Sequence, residues 1–253
     1  MIIERNFYSP LARAHDAPEG TAVPLSWDWY AKSKRSADLV TAAFLLLLTG
    51  PLVLVLFVLV RLTSRGPALY KQWRLGIDGQ PYQIYKIRTM THDCERLTGP
   101  QWATAQDPRV TPLGRFLRRS HLDELPQLWN VLRGEMSLVG PRPERPEIVT
   151  RLEPLIPEYR DRLCVRPGIT GLAQVQLPAD EDLAGVRRKV SCDLTYLRCI
   201  GPWLDLRILV ATALKVAGVP FHLTREILAL PGGEHEPQAD QGAQVSEGAL
   251  SQP

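Results

Sequence analysis

The longest uninterrupted apolar stretch of the chain is LVTAAFLLLLTGPLVLVLFVLV, residues 39 to 60, which holds 22 residues without a charge. As a straight helix it measures roughly 33 Å, enough for a hydrocarbon core of about 30 Å. Gly50 and Pro51 stand at its midpoint, and proline removes a backbone hydrogen bond and kinks a helix. Two arrangements stay open: a spanning helix, or a re-entrant one that bends at Gly50-Pro51 and returns. Lys32, Lys34 and Arg35 precede the run, and Arg61, Arg65 and Lys71 follow it. A spanning helix favours positive charge on one side, so flanks of like sign favour the re-entrant form with both ends cytoplasmic. Carbonyls freed at the kink need partners, with Thr49 the nearest. Asp38 is expected to pair with Arg35 or to sit at the interface.

The pattern then shortens. ALYKQWRLG and PYQIYKIRTM read as two strands joined across Asp78-Gly79, with Lys71, Arg74, Lys86 and Arg88 as a basic face. TPLGRFLRRSH, residues 111 to 121, reads as a helix with Arg115, Arg118 and Arg119 on its polar side. Leu125, Leu128, Trp129 and Leu132 follow at helical spacing. Pro126 fits only a first turn, which puts the start of that helix near Asp123 or Glu124, and Gly134 is a suitable stop. RPGITGLAQV predicts a turn around Gly168 and Gly171 leading into a strand. Residues 180 to 199 and 203 to 218 predict two helices, the second strongly apolar but too short to span.

Composition narrows the partners. The formal net charge is +3, but the last 22 residues carry four acids (Glu234, Glu236, Asp240 and Glu247) and no Lys or Arg, which leaves about +7 elsewhere. That bias suits phosphates and lipid head groups, and no nucleic-acid module signature occurs. Cys94, Cys164, Cys192 and Cys199 lack metal-ligand spacing and read as reduced thiols. No secretory signal is expected at the N-terminus.

The chemistry concentrates in HLDELPQLWNVLRGEMSLVGPRPE, residues 121 to 144. Two readings of Asp123 stand side by side. It is either an N-cap accepting free backbone N–H groups, or a reactive carboxylate at a helix mouth where phosphate is also stabilised. Arg118, Arg119, Arg142 and Arg145 would let an anionic substrate approach it. Arg142 lies between Pro141 and Pro143 on a stiff backbone, suited to bidentate phosphate contact. The glycines of RPGITGLAQV lack the P-loop and dinucleotide-binding patterns.

KRSADLV, SRGPALYKQWRLG, YKIRTM, TPLGRFLRRSHLDELPQLWNVLRGEMSLVGPRPE, RPGITGLAQV and DLTYL with WLDLRIL occur in order over residues 32 to 218. In these the chain resembles the bacterial sugar transferase family, the monotopic polyprenyl-phosphate phosphoglycosyl transferases. The resemblance implies a re-entrant helix broken at Gly50-Pro51, where the family commonly has serine in the glycine's place. It implies that Asp123 attacks the β-phosphate of a UDP-sugar, releasing UMP and leaving a covalent sugar-phosphate that polyprenyl phosphate then removes. It further implies Mg²⁺ held by Asp123 and Glu124, with Glu124 placing the metal or handling a proton. Arg142 is expected at the nucleotide or phosphate; Lys86, Arg88, Arg118, Arg119 and Arg145 are further phosphate-contact candidates. Many members continue with Gly-Arg after GLAQV, and this chain does not, so sugar selection is expected to differ.

The expected architecture is α+β and mainly helical: a compact cytoplasmic domain with a short β-hairpin, anchored by a kinked re-entrant membrane helix. Its expected parts are a partly disordered arm over 1–30, the membrane helix-hairpin over 31–62, the catalytic domain over 63–222, and a C-terminal segment with a disordered acidic tail over 223–253. The implied location is the cytoplasmic face of the bacterial inner membrane, in a small single-anchor form. The partners are a UDP-sugar, polyprenyl phosphate and membrane lipid, without nucleic acid; a homodimer stays open. Two competing readings remain. A metal-dependent glycosyltransferase would release UDP, but its D-x-D motif is represented only by Asp93-Cys94-Glu95. An inactive membrane scaffold would bind nucleotide-sugar or anionic lipid.

Overall fold

The computed structural model describes residues 26–94, 107–177 and 183–232. Residues 1–25 of the arm, the acidic tail, Glu95 of the acidic triplet and residues 178–182 after GLAQV lie outside the described residues. The protein is mostly helical, with one two-stranded antiparallel sheet and one short parallel pair.

Helix α1 runs over Ser26–Thr63, 38 residues that take in both the basic flank and the apolar run. Among the described residues it is the one helix long and apolar enough to cross a membrane. The chain stays helical through Gly50 and Pro51. Thr49 does not serve the Leu47 carbonyl that Pro51 leaves without a donor. Its hydroxyl donates instead to Leu45 O at 2.7 Å, a back-bond that tends to bend a helix.

The N-terminal third of α1 is docked by polar side chains. Asp38 is buried and accepts from Ser137 Oγ at 2.7 Å and from the Leu138 N–H at 3.3 Å. The expected Asp38–Arg35 pair is therefore corrected. Arg35 turns to the C-terminal end of the helix over Gln127–Arg133, donating to Val131 O at 2.7 Å and Leu132 O at 3.3 Å, where unpaired carbonyls collect. Lys34 and Tyr30 both reach the buried Asp205, which also accepts from Tyr196 Oη at 2.8 Å.

The hairpin β1 (Leu69–Leu75) and β2 (Pro81–Ile87) pairs Tyr70 with Lys86 and Arg74 with Tyr82. Asp78 and Gly79 have φ of 54° and 71°, the left-handed pair that a tight Asp-Gly turn uses. Side chains alternate across a strand, so Arg74 and Lys86 share one face while Lys71 lies on the other, over the Tyr85 ring. The expected single basic face is thus divided between the two sides of the hairpin.

Helix α2 (Pro112–Arg119) is capped by Thr111, whose hydroxyl accepts from the Gly114 N–H at 2.9 Å. Helix α3 (Gln127–Arg133) packs between β2 and α1. Its buried face is Gln127, Leu128, Asn130 and Val131, while Trp129 is exposed, so the helix is rotated away from the leucine stripe expected from spacing. Asn130 explains the rotation. It is fully buried, accepts from the Tyr85 N–H at 3.1 Å, and donates to Gln83 O and Glu135 Oε2, both at 2.7 Å. It acts as a mock strand edge that fixes α3 to β2. Asn130→Leu is expected to cost about 2–4 kcal/mol, because the backbone groups it satisfies stay buried. A lower melting temperature in detergent, with mean helix content unchanged, would be the sign.

Strand β3 (Ser137–Val139) pairs in parallel with β4 (Gly168–Thr170), and α5 (Leu172–Gln176) follows directly. The strand is thus Gly168-Ile169-Thr170 itself, and GLAQV forms a helix rather than the strand expected there. A Cβ on Gly168 would stand 2.1 Å from Gly140 N, so close backbone approach is what the glycine provides. Helices α4 (Pro146–Leu152), α6 (Leu183–Cys199), α7 (Pro202–Val216) and α8 (Phe221–Ile227) complete the domain. Thr224 and Leu230 are buried, so packing continues to the end of the described chain.

Candidate active site

The chain leaves α2 through Ser120 and turns at His121, which adopts a left-handed conformation (φ 54°). Leu122–Glu124 then form a single 3₁₀ turn before α3 begins at Gln127. The N-cap reading of Asp123 is corrected here. Pro126 has no N–H for the Leu122 carbonyl, so the tighter Leu125 N–H bond at 3.4 Å takes it and the dyad forms its own turn.

This turn sets the two carboxylates apart. Glu124 Oε1 accepts from Lys86 Nζ at 2.7 Å and from Arg142 at 2.9 Å. Burial opposes its charged form, but Lys86 and Arg142 prevail and hold its carboxyl well below the usual range. Asp123 is 7% exposed and makes no ion pair or hydrogen bond within the described protein. Burial, helped by the charge on Glu124, pushes its carboxyl up to about 6 against the pull of Lys86, Arg118 and Arg142. Adjacent acids thus have opposite characters: one neutralised by two cations, the other buried and unengaged.

Both line a cleft of about 1310 Å³. Arg118 reaches it from α2, with Nε on Thr89 Oγ1 at 2.9 Å. Arg142 reaches it from the Pro141–Pro143 segment, and Arg145 sits further along the same wall. Arg88 lines the cleft too, but its guanidinium is spent on the end of α1, donating to Ser64 Oγ, Ser64 O and Arg65 O at 2.6 to 3.0 Å. Arg119 is exposed and stays outside the cleft. The structure therefore gathers Lys86, Arg118 and Arg142 around the dyad, sets Arg145 further along the cleft wall with its Nε 3.6 Å from Glu147 Oε2, makes Arg88 a brace for α1, and leaves Arg119 on the surface.

Spacing alone did not single out Glu144, Lys189 or His121. Glu144 bridges Arg74 at 3.3 Å and Lys189 at 3.2 Å within the same wall. Its partners lie on β1 and α6, far away in sequence, so only the fold brings them together. The arrangement, an ionised, part-buried carboxylate clamped by cations beside an unclamped one, is suited to receiving a phosphate at Asp123.

No cluster of three or more metal-ligating side chains occurs among the described residues. A divalent cation that keeps several waters and substrate phosphates needs only one or two carboxylates. Asp123 and the second oxygen of Glu124 meet that need, so the residues fit magnesium.

The class is defined by a mainly helical domain with, among the described residues, one helix long and apolar enough to cross a membrane, and by a cleft that holds an Asp-Glu turn and several basic side chains. The chain belongs to the bacterial sugar transferase family, whose model matches residues 29–218. It is 46% identical over 183 residues to a UDP-glucose:undecaprenyl-phosphate glucose-1-phosphate transferase of Caulobacter vibrioides, covering 71% of this chain and 67% of that one. It is 42% identical over 193 residues to a protein of the same description from Xanthomonas campestris, covering 76% of this chain and 40% of the relative. An exopolysaccharide production protein of Rhizobium leguminosarum is 39% identical over 190 residues, covering 72% of this chain and 94% of the relative.

Proposed function

We propose that this protein transfers a sugar-1-phosphate from a UDP-sugar to undecaprenyl phosphate, giving undecaprenyl diphosphate-sugar and UMP, the first step of a surface polysaccharide. The observation that carries the reading is the division within the dyad, where Glu124 is clamped and Asp123 is left unengaged. The Asp123 carboxylate attacks the β-phosphorus of the donor. An O–P bond forms, the bond from β-phosphorus to the bridging oxygen breaks, and UMP leaves with that oxygen. An oxygen of undecaprenyl phosphate then attacks the same phosphorus, and the aspartyl O–P bond breaks to return the carboxylate. Lys86 and Arg142 hold Glu124 ionised, and Arg118 and Arg145 offer donors to the diphosphate. Magnesium, when bound by Asp123 and Glu124, supplies further neutralisation of phosphate charge. Splitting a transfer between two anions into two displacements at one carboxylate is the advantage of the covalent route.

The test is to mix enzyme and UDP-sugar without acceptor and measure intact mass. The expected result is one sugar-phosphate added per chain, located on Asp123, with stoichiometric UMP. Adduct formation is expected to rise with pH through about 6, where the buried Asp123 carboxyl loses its proton. UDP as the product, or turnover without any adduct, would sink the reading.

We further propose that α1 is re-entrant, with the domain on the cytoplasmic face. Ala42 is buried in the main core, and Leu56 and Val60 are buried against Ile87 and Leu117. Only the 13 residues between Ala42 and Leu56 remain for the bilayer, too few for a span of about 20. Phe44, Leu47, Leu48 and Leu54 are exposed in that interval and would face lipid. Single cysteines at Lys32 and Arg65, in a background without the four native thiols, test this. Both are expected to react with an impermeant maleimide only from the cytoplasmic side; labelling of the two ends from opposite sides would mean a span.

A further inference from the structure

The cleft changes character away from the dyad. Toward α1 and α7 its wall becomes mainly apolar, lined by Leu45, Ile169, Ala173, Leu209 and Val216, while the Thr49 hydroxyl is bonded within α1 and those of Thr170 and Thr212 to each other at 2.7 Å. One cation lies in this part of the wall: Lys215, in the last turn of α7. A basic residue at a helix end often serves its own carbonyls. Here the end of α7 is already closed by backbone, with the Ala217 N–H on Ala213 O and the Val219 N–H on Leu214 O. The Lys215 ammonium leaves its helix and donates to the Gln174 carbonyl on α5 at 2.6 Å. An ammonium carries three donors, so this contact anchors it and leaves others for the cleft.

Its position relative to the dyad is equally informative. The charges of Glu124 and Arg142 both act on Lys215, and Lys215 in turn acts on His121 at the head of the dyad turn. The cation thus lies within electrostatic reach of Glu124 and Arg142 at the dyad, but on the side where the wall is mainly apolar. The donor is polar from nucleobase to sugar and gains nothing from such a wall. A phosphate attached to a long isoprenoid chain needs both features at once, a cation for the head and an apolar exit for the tail. The exit is continuous with exposed apolar surface, since Leu206, Val210 and Val216 of α7 face outward.

We propose that Lys215 binds the phosphate of the isoprenoid acceptor and holds it at the apolar end of the cleft, so that donor and acceptor phosphates reach Asp123 from different sides. This assignment rests on the transfer reaction proposed above. Lys86 and Arg142 are committed to Glu124, so the acceptor's charge would otherwise approach a carboxylate pair without a cation of its own. Lys215 forms no covalent bond in this role.

Two-substrate kinetics of UMP release in neutral phosphatidylcholine nanodiscs decide the matter. In a two-displacement reaction, kcat/KM for each substrate reports its own half. Lys215→Met is expected to lower kcat/KM for undecaprenyl phosphate by about tenfold or more, the loss of one charge-assisted hydrogen bond. The ratio for the UDP-sugar is expected to change by less than about twofold, and Lys215→Arg to recover most of the loss. An equal fall in both ratios would make Lys215 merely structural, and a fall confined to the donor would place the nucleotide there. A defect that appears only when phosphatidylglycerol is added would assign the cation to bulk anionic lipid. Each of these outcomes overturns the proposal. Failure of the underlying reaction is seen separately, in wild-type protein, as UDP instead of UMP.

Discussion

Asp123→Asn is expected to abolish UMP release, by about four orders of magnitude or more, and at the same time to make the protein more stable near neutral pH. The loss of activity follows from removing the nucleophile, for which an amide is no substitute. The gain in stability follows from the environment of the carboxyl. Its ordinary value is 3.8, and burial raises it to about 6 in the fold. A carboxyl raised on folding favours the folded state fully only below its unfolded value, and that contribution is lost as pH rises through about 6. Above that pH the folded protein carries a buried charge worth up to about 3 kcal/mol, which asparagine removes. Melting in detergent with a chelator should therefore show the variant more stable than wild type at pH 7.5 and indistinguishable at pH 4. Glu124→Gln should move the other way, because it strips Lys86 and Arg142 of the carboxylate that both use. An inactive Asp123→Asn protein that melts early at neutral pH would point to misfolding rather than to a missing nucleophile.

That contrast also shows where sequence reading stops. The hairpin was legible because Asp78-Gly79 is a local turn signal, and α1 because 22 uncharged residues form a local pattern. The cap of α2, Thr111 before Pro112, is local as well. Asp123 and Glu124 were recognisable as a pair, yet nothing in DELPQLW distinguishes a clamped carboxylate from an unclamped one. The difference arises from Lys86 and Arg142, which arrive from 38 residues upstream and 18 residues downstream. Arg88 and Arg118 look alike in sequence and both line the cleft, but the first is bonded to Ser64 and Arg65 at the end of α1 and the second to Thr89. The helical stripe through Trp129 misled for a related reason. A buried polar residue, Asn130, sets the rotation of α3 through bonds to β2, and periodicity counts only apolar positions.

Behind the Pro141–Pro143 segment stands a buried ion pair on which the second large effect rests. Arg162 and Asp193 are 3% and 1% exposed at the side chain, with Nη2 and Oδ2 2.6 Å apart. The same guanidinium donates to the Arg142 carbonyl at 2.9 Å and to Tyr159 Oη at 3.0 Å. Arg162→Met leaves Asp193 as a buried, uncompensated carboxylate, so a loss of about 3–5 kcal/mol is expected, seen as a sharp drop in melting temperature. Adding Asp193→Leu should return most of that stability, since an apolar pair of similar volume is often as good as a buried ion pair. Activity should not return with it. The doubly substituted protein still lacks the donor on the Arg142 carbonyl, and the backbone that presents Arg142 to Glu124 loses its tie. The expected signature is a folded protein with restored melting and a weakened response to the UDP-sugar. If the double variant instead regained full kcat/KM for the donor, two prolines alone would be holding Arg142 in place, and Arg162 would serve stability only.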